Sequence, residues 1–335
     1  MNLRTKSPRY WASVLALVLL VTFVVVIISP GRSTLSLTEF FNALFLRLPA
    51  QDGAYSILWD LRLPRAISCV LVGAILGICG CAFQLLFRNP LAEPFVVGVS
   101  GGAALLGALG FSVGLTTGIA LELGQILTCV IGGCLALMVV LGLNRQSDRA
   151  SKDNLILTGV VVGTVLSSLL TLNIYLRGLN SVQVIGWLMG SISPAFWSRN
   201  LVLALLLAAG FWVIMRESRN INTLAMGDLS AVSLGVDPNG VRARILLTGS
   251  ILASATVGAA GIIAFLGLIS PHFARSLVGP NSRQSVPISA LIGAICLLFA
   301  DFLSQRLIEG QEIPVGAITA ILGAPMLYFI LKNRR

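Results

Sequence analysis

The sequence predicts an all-α polytopic membrane protein with about ten transmembrane helices. Of its 335 residues, 56% are hydrophobic and 11% are charged, and the mean hydropathy is +0.92. A soluble domain carries about 25% charged residues, so this chain has too little polar surface to cover a water-soluble globule. The charged residues are also confined to short stretches between long uncharged runs, as in proteins whose helices cross a bilayer.

The uncharged runs place the spans in order. A helix needs roughly 20 apolar residues to cross the hydrocarbon core, and Gly and Pro residues divide the longest runs. We predict spans at 11–29, 66–87, 96–113, 118–143, 154–176, 200–215, 245–263, 265–275 (a short one), 284–303 and 313–331. The run 178–198 is more polar, and we expect a partly buried segment at the outer face there.

The basic residues predict the orientation. With the N-terminus inside and ten spans, the inner-face segments hold 16 of the 23 Lys and Arg residues: Arg4, Lys6, Arg9, Arg88, Arg145, Arg149, Lys152, Arg216, Arg219, Arg242, Arg244, Arg275, Arg283, Lys332, Arg334 and Arg335. Cytoplasmic loops carry such an excess, so we expect both termini in the cytoplasm. The net charge of +10 then reflects orientation and contact with membrane lipid, and we expect no nucleic-acid partner.

Several kinds of chemical site are missing from the sequence. There is no GxxxxGK[ST] loop, and the three lysines (Lys6, Lys152 and Lys332) follow no glycine-rich turn, so phosphates cannot be bound in that way. No HExxH motif occurs either. We therefore expect no enzyme activity and no cofactor, which makes a membrane-embedded enzyme the weaker alternative. The energy for any transport would come from a partner protein.

Candidate ion-coupling and metal sites are also few. Glu122 and Asp301 are the carboxylates that fall within predicted spans, with Asp301 near an outer end. An ion-coupled secondary transporter, the rival interpretation, usually needs ionisable groups or broken helices at the midplane. The six cysteines form no CxxC pair and lie far in sequence from His272. We expect no bound metal, packing roles for the cysteines and a structural hydrogen-bonding role for His272.

Glycines in the second span predict close helix packing. Gly73, Gly77 and Gly80 are spaced at i, i+4 and i+7 and so share one helix face. In lipid, small residues allow backbones to approach and gain dispersion contacts. The spacing indicates a tightly packed bundle and says little about function.

Arginines interrupt the apolar pattern at the predicted outer end of the second span. Arg62 and Arg65 lie on the face that is poor in positive charge. They could anchor the helix in lipid headgroups. They could also form a dock for an acidic partner, because guanidinium pairs with carboxylate bidentately.

Two further interruptions lie on the predicted inner face. Pro90 and Pro94 forbid a continuous helix after the second span, so this stretch is either a rigid turn or a constriction at the inner end of a pore. In the loop 216–244, apolar residues recur at helical spacing, and Gly227 and Gly235 divide them into two short helices. Such a pair could dock into a groove on a soluble partner or lie on lipid.

The motifs in these segments resemble those of the FecCD-type permeases, the membrane subunits of type II ABC importers for iron-siderophores, haem and cobalamin. The matching stretches are RLPR at 62–65, RNPLAEPFVVGVSGGA at 88–103, WLMGS at 187–191, AMGDLSAVSLGV at 225–236, FLGLISPHFARSLVGP at 265–280 and EIPVGAITAILGAP at 312–325. They occur in order along nearly the whole chain. The resemblance implies the type II ABC importer permease fold, with a single transmembrane permease domain over 1–335.

The resemblance also implies an assembly and a cargo. Such permeases work as homodimers in the bacterial inner membrane, with the translocation path at the dimer interface. Two ATP-binding cassette subunits dock on the cytoplasmic face and hydrolyse ATP, and a substrate-binding protein docks on the outer face. Iron chelates (siderophore or haem) are the expected cargo, with cobalamin as the alternative.

On the outer face, the resemblance assigns Arg62 and Arg65 to docking of the binding protein, where they would pair with glutamates. The family pattern places a third docking arginine at a position occupied here by Gln305, and the arginine of this chain is Arg306. A shift of one residue turns a side chain by about 100° around a helix. Arg306 would therefore reach the partner if the helix has ended before it.

On the inner face, the resemblance assigns Asn89 and Leu91 to an inner gate. The coupling helices, which would fit a groove of the ATPase, are expected at about 222–238. The residues implied in this contact are Ala225, Met226, Gly227, Asp228, Leu234 and Gly235.

Overall fold

The computed structural model describes residues 7–28, 54–112, 119–145, 152–192, 196–308 and 311–332, and the regular elements in these ranges are all helical. The α-helices are α1 (Pro8–Ile28), α2 (Leu63–Phe87), α3 (Val99–Ser112), α4 (Ile119–Arg145), α5 (Lys152–Arg177), α6 (Val182–Leu188), α7 (Trp197–Arg216), α8 (Ser218–Met226), α9 (Asp228–Ser233), α10 (Pro238–Ala260), α11 (Leu266–Val278), α12 (Ser282–Ser304) and α13 (Val315–Lys332), with a short turn of helix at Ala54–Ser56. A π-helical turn, Ile57–Arg62, leads into α2, and 3₁₀ turns occupy Pro94–Val97 and Gly178–Ser181.

The helices coincide with the ten predicted spans. Among the described residues, seven helical segments are long and apolar enough to cross a membrane, and they contain α1, α2, α4, α5, α7, α10 and α12. The apolar helices α3 and α13 are shorter. With 13 residues, α11 is about 20 Å long and covers only part of a hydrocarbon core of about 30 Å. The predicted all-α polytopic fold is confirmed, with α11 as the short span expected at 265–275. Below, "outer" and "inner" follow the predicted orientation.

The second span is the centre of the bundle. In the segment Ile57–Phe87, 83% of the most apolar 18-residue stretch is buried inside the bundle. The corresponding share in α1, at the periphery, is 6%. Pro64 lies in the first turn of α2, where a missing N–H leaves no helical hydrogen bond unmade. The helix ends at Arg88, whose backbone is left-handed.

Glycines bring α2 into backbone contact with its neighbours. A Cβ atom at Gly73 would collide with the backbone of Gly293 in α12, and one at Gly80 would collide with Gly267 in α11. Gly77 meets the backbone of α12 in the same way. The glycine face predicted from the i, i+4, i+7 spacing is therefore confirmed, and it holds α11 and α12 against the central helix.

The chain between α10 and α11 is non-helical yet buried in the bundle. Gly261 has a φ of 71° and Phe265 a φ of 68°, which end one helix and begin the next. Irregular backbone at membrane depth is stable only where the protein satisfies its polar groups. Here Gly261 N–H donates to Val257, and Ser191 N–H donates to the Ala260 carbonyl at 3.0 Å. The segment after α6 therefore covers the break between the helices, as expected for a partly buried outer segment.

Tryptophans lie near both ends of α7. At the outer end, Trp197 Nε1 donates to the Trp59 carbonyl at 2.9 Å. Toward the inner end, the Arg216 guanidinium lies 5.3 Å from the centre of the Trp212 ring. Tryptophan is enriched at both membrane–water interfaces, so this arrangement fits a helix that crosses the bilayer.

Candidate functional site

The outer end of the bundle contains an ion-pair cluster around Arg65. Its Nε and Nη2 atoms donate to the Asp301 carboxylate at 3.1 and 2.9 Å, and its Nη1 donates to Glu312 Oε1 at 2.9 Å. The Asp301 side chain is fully buried and also accepts a hydrogen bond from Gln305 at 2.8 Å. Bidentate pairs of this kind are among the stronger polar contacts in proteins. The cluster joins α2 to α12 and to the chain that leads into α13.

The other two predicted docking arginines lie nearer the surface. Arg62 is half-buried, and its Nη1 donates to the Ile27 carbonyl of α1 at 2.7 Å. Arg306 is exposed, and its guanidinium lies 5.4 Å from the centre of the Phe302 ring. Because α12 ends at Ser304, the direction of Arg306 is not set by the rotation of a helix. The positive charges of Arg62 and Arg306 act on each other.

The two predicted inner-gate residues lie in the turn that follows α2. The Asn89 Oδ1 atom accepts a hydrogen bond from the Leu91 N–H at 2.9 Å, so the asparagine side chain closes a short turn. Leu91 is exposed, whereas the next residue, Ala92, is buried. The structure therefore brings both predicted residues together at the inner end of the central helix.

Glu93 follows this turn and faces the beginning of α11. Its Oε2 atom lies 3.1 Å from the position that a Cβ of Gly267 would occupy. The side chain is half-buried in the crevice between the turn and α11. Because burial disfavours the charged carboxylate, the pKa of Glu93 is raised to about 7. Glu93 therefore titrates near neutral pH.

The loop at the predicted inner face forms the predicted pair of short helices, α8 and α9. Gly227 separates them with a φ of 135°, and Gly235 follows the second helix with a φ of 76°. Both conformations favour glycine. The first helix begins at Ser218, four residues before the predicted start at about 222. Ile221 and Leu224 are buried and pack this helix against the bundle.

The surface that this pair presents outside the bundle is apolar. The exposed fractions are 73% for Met226, 89% for Leu229, 60% for Val232 and 66% for Leu234. Ala225 and Gly235 are exposed beside them, and Gly227 and Asp228 are half-buried. Clustered apolar side chains at a surface mark an interaction site. We call this set, Met226, Leu229, Val232 and Leu234, the apolar face.

Charged groups hold the helix pair on the bundle. Asp228 pairs with Arg242 of α10 and, at 3.4 Å, with Arg88. Arg244 Nε donates to Glu217 Oε1 at 2.7 Å. Burial raises the pKa of the Glu217 carboxyl, but the hydrogen bonds from Arg244 and Asn220 and the positive charges of Arg244 and Arg216 together outweigh this effect, and the pKa lies below its ordinary value. The apolar face is therefore carried on a support fixed at several points.

Comparison with known proteins decides the family. The model of the FecCD transport family matches residues 17–333. The chain belongs to the FecCD transport family. Its relatives in this family are permease subunits of ABC transporters, which are not enzymes themselves, and such permeases work with ATPase and binding-protein partners.

Curated relatives of this FecCD permease cover most of its length. It is 33% identical to an uncharacterised ABC transporter permease, YvrB of Bacillus subtilis, over 98% of this chain and 96% of the relative. It is also 33% identical to the vitamin B12 import system permease BtuC of Vibrio vulnificus over 97% and 95% of the two chains. BtuC of Escherichia coli is 36% identical over 83% and 84%.

Solved structures share the fold. A metal-chelate type ABC transporter in an inward-facing conformation superposes with a TM-score of 0.84 at 27% identity, covering 98% of this chain and 100% of the other. PsaBC of Streptococcus pneumoniae gives a TM-score of 0.59 at 20% identity, over 83% and 92% of the two chains, which is a likeness of fold alone. The predicted type II importer permease fold is confirmed.

The partners of Arg65 in this FecCD permease were not predicted from the sequence. The sequence places Asp301 near the outer end of a predicted span and Glu312 at the start of a motif. Both lie more than 200 positions away, at separations of 236 and 247 residues. A signal was available, because an unpaired carboxylate is costly at membrane depth, and Arg65 is predicted at the same outer end as Asp301.

A row of hydroxyl groups on α5 was also missed. Thr164, Ser168 and Thr171 lie on the exposed face of this candidate span. Each hydroxyl donates to the carbonyl four residues earlier, at 2.8, 2.9 and 3.0 Å. Their i, i+4, i+7 spacing was the available signal. We call these three residues the hydroxyl row.

The remaining candidates for chemistry show no joint site. Within the described part of the chain, no group of three or more His, Cys, Asp and Glu residues is placed to hold a metal. All six cysteines are free, and four of them are buried. His272 is half-buried in α11, with its ring 6.2 Å from that of Phe273. The side chain of Glu122 lies outside the described residues.

Proposed function

We propose that this chain is the membrane subunit of an ATP-driven importer for a metal chelate. Two copies would form the permease, two ATP-binding cassette subunits would dock on the cytoplasmic side, and a substrate-binding protein would dock on the outer side. The observation that carries this proposal is the apolar face, four largely exposed side chains on a rigid helix pair outside the spans.

The geometry of the apolar face favours a protein partner over a lipid surface. An amphipathic helix on a membrane usually has several turns and a basic polar face, whereas α9 has six residues and begins with Asp228. The two helices meet at an angle set by Gly227 and are fixed by ion pairs to α10. A preformed knob of this kind fits a groove on a soluble ATPase.

The hydroxyl row supports a translocation path between two copies of the chain. Three hydroxyl groups on the exposed face of a span gain nothing from contact with lipid tails. Each already has its own carbonyl acceptor, so no neighbouring helix of the same chain is needed to satisfy them. Facing a second copy across an aqueous path, the row would offer hydroxyl oxygens to a passing polar cargo.

Arg62 and Arg306 support the outer dock. Both lie at the outer end of the bundle, and each acts on the other through its positive charge. A homodimer would present this pair twice to the acidic lobes of a binding protein. Arg65 can take part only if a glutamate of the partner competes with Asp301 and Glu312.

Asn89 and Leu91 support an inner gate. Their turn lies at the inner end of α2, and Leu91 is exposed there. A leucine from each of two copies could close an aqueous path by excluding water, as hydrophobic constrictions do in channels.

For the cargo, we propose a metal chelate, with vitamin B12 as the first compound to test and iron-siderophores and haem beside it. Three observations support this choice: the relatives named as vitamin B12 import permeases, the metal-chelate type of the superposed transporter, and the uncharged hydroxyl row. Vitamin B12 is itself a cobalt chelate, so these observations favour one class of cargo.

Uptake by the reconstituted complex tests the proposal. Permease, ATPase and binding protein in proteoliposomes should import radiolabelled cyanocobalamin, a ferric siderophore or haem, and uptake should require ATP and all three components. Uptake by the permease without ATPase, driven by an ion gradient, would instead establish a secondary transporter. Tags in the loop 216–244 and at the termini should be accessible from the cytoplasm.

A further inference from the structure

Arg88 connects the inner-gate turn to the helix pair that carries the apolar face. Its backbone ends α2 with a φ of 52°, and the next residue is Asn89. Its Nε atom donates to the Leu224 carbonyl at 3.0 Å, and its Nη2 atom donates to the same carbonyl. The Nη2 atom also lies 3.4 Å from Asp228 Oδ1. One side chain therefore contacts the end of α8 and the beginning of α9.

The acceptors of Arg88 are held in place from other directions. The Leu224 carbonyl also accepts the Gly227 N–H at 3.2 Å, and it lies in the last turn of α8, where the helix dipole favours a cation. Asp228 is bound at the same time by Arg242 of α10. Because the guanidinium is a planar fork with several donors, it can engage a carbonyl and a carboxylate together.

This arrangement makes the gate turn sensitive to movement of the helix pair. If α8 and α9 shift relative to α2, they either pull Arg88 with them or break its charge-assisted hydrogen bonds. A left-handed backbone is strained at a residue other than glycine and persists where surrounding contacts impose it. When these contacts break, the strain at Arg88 favours a new conformation of the turn that contains Asn89 and Leu91.

We propose that Arg88 and Asp228 are positioning residues that transmit movement of the ATPase-docking helices to the inner gate. The inference rests on the proposed function, since it takes the apolar face as the ATPase contact and Leu91 as part of the gate. Arg88 should matter more than Asp228, because its bonds to the Leu224 carbonyl are partly buried, whereas the Arg88–Asp228 pair is longer and 39% and 45% exposed at its two side chains.

The test measures opening of the gate directly in the assembled permease–ATPase complex in lipid nanodiscs. A Leu91→Cys background is labelled with a membrane-impermeant maleimide, without nucleotide and after trapping with ATP and vanadate. The permease without this cysteine gives the amount of labelling that the native thiols contribute. Into the Leu91→Cys background we would place Arg88→Gln, Arg88→Lys, Asp228→Asn and the double change. Arg219→Gln, an exposed arginine of the same helix α8, is the matched control.

We expect nucleotide trapping to change the labelling rate of the background by about fivefold or more, the lower end of typical coupling between sites. Arg88→Gln should remove most of this change, Asp228→Asn part of it, and Arg88→Lys should restore part of it because one donor group remains. The double change should reduce the nucleotide-dependent change in labelling rate no further than Arg88→Gln alone does, since both residues act in one contact. Arg219→Gln should behave as the background does.

Two readouts separate this inference from the proposed function. Co-purification of the ATPase and ATP hydrolysis stimulated by the binding protein should survive Arg88→Gln, so that hydrolysis continues while the gate no longer follows it. An unchanged labelling ratio in Arg88→Gln, in a complex whose background responds to nucleotide, would overturn the inference alone. A background that binds no ATPase, or whose Leu91→Cys thiol never responds to nucleotide, would overturn the proposed function and this inference together.

Discussion

The Arg65 guanidinium and the Asp301 carboxylate form a bidentate ion pair between α2 and α12, with donor–acceptor distances of 2.9 to 3.1 Å. Asp301 is completely buried, and Arg65 is 13% exposed at its side chain. The resemblance to FecCD permeases assigned Arg65 to docking of a binding protein. In this chain the same guanidinium also connects helices, so a change at Arg65 affects the fold as well as any dock.

Removing Arg65 should therefore destabilise the permease. Arg65→Ala leaves the Asp301 carboxylate buried without its guanidinium partner, although Gln305 still donates to it. Breaking one side of a buried ion pair costs about 3–5 kcal/mol. Arg62→Ala removes a half-buried arginine whose Nη1 donates to the Ile27 carbonyl, and we expect a smaller loss of about 1–2 kcal/mol. Thermal unfolding of the purified permease in the same detergent measures both.

The double variant Arg65→Ala with Asp301→Ala is the control for this prediction. It removes the uncompensated charge, so it should recover part of the stability lost in Arg65→Ala. Equal unfolding temperatures for Arg65→Ala and Arg62→Ala would show that the ion pair contributes little to the fold.

The outer dock is better tested at Arg62 and Arg306. Charge reversal of these residues to Glu should slow capture of the binding protein, because charge clusters mainly raise association rates. The loss should shrink at high salt, where screening already weakens the native attraction. We expect the smaller effect at Arg306, which lies beyond the end of α12. Association rates from surface binding at several salt concentrations measure both variants.

Charge reversal on the partner provides the control for the dock. Changing the matching glutamates of the binding protein to arginine should restore part of the lost rate for Arg62→Glu. If the double Glu variant captures the binding protein as fast as the parent at low salt, these arginines anchor the helices in lipid headgroups instead.

The span pattern and the glycine face could be predicted because they depend on local periodicity. A helix that crosses lipid must be apolar over its whole length, and Gly73, Gly77 and Gly80 share a face by spacing alone. The pair of short helices in the loop 216–244 was predicted for the same reason, since Gly227 and Gly235 mark its turns. Its true beginning at Ser218 depends on burial of Ile221, which tertiary packing decides.

The contacts of the charged residues could not be predicted in the same way. Arg65 meets partners 236 and 247 residues away, and Arg88 meets Leu224 and Asp228 at separations of 136 and 140 residues. Local patterns carry no information on such pairs. A motif that resembles a docking arginine therefore indicates its position at the outer end and leaves open which carboxylates it binds.

The apolar face should be sensitive to charge. Leu229 is 89% exposed, so Leu229→Arg removes almost no packing from the permease, but it would bury a charge in the ATPase groove. We expect co-purification of the ATPase to fall at least about tenfold and transport to be lost, with membrane insertion unchanged. Gly227→Arg should have the same result, with added backbone strain at φ 135°.

Asn239→Arg is the matched control for the apolar face. It adds the same charge to an exposed position at the start of α10, outside the four apolar side chains. Normal ATPase binding and transport by Leu229→Arg would favour the interpretation in which this loop lies on the lipid surface.

The stability of the permease should depend on Glu93 at neutral and alkaline pH. The folded-state pKa is raised from 4.5 to about 7, so the folded protein binds this proton more tightly than the unfolded chain does. The buried carboxylate therefore lowers the free energy of unfolding. This loss of stability is absent below about pH 4.5, grows as the pH rises toward 7, and reaches its full size above about pH 7. It amounts to less than about 3 kcal/mol, because the half-buried carboxylate keeps some solvent.

Glu93→Gln should therefore raise the unfolding temperature at about pH 8 and leave it nearly unchanged at about pH 5. Thermal unfolding of parent and variant across this range measures the difference. Glu217 provides an opposite case, because its pKa is lowered, and Glu217→Gln should destabilise the permease at neutral pH and lose this effect in acid. An equal stabilisation by Glu93→Gln at both pH values would show that the carboxyl does not titrate in this range.

Glycine-to-alanine changes should separate packing from helix propensity. At Gly73, a Cβ atom would lie 2.7 Å from the carbonyl carbon of Gly293, so Gly73→Ala must push α2 away from α12. We expect a loss of about 1–3 kcal/mol, as for other overpacked cores. At Gly142 in α4, no atom of the described residues outside its own helical turn lies within 4 Å of the new methyl group, and alanine is favoured over glycine inside a helix by about 0.5–1 kcal/mol. Gly142→Ala should therefore raise the unfolding temperature in the same assay in which Gly73→Ala lowers it. A higher unfolding temperature for both variants would show that α2 and α12 can move apart without a loss of stability. The glycine face would then not hold the bundle together.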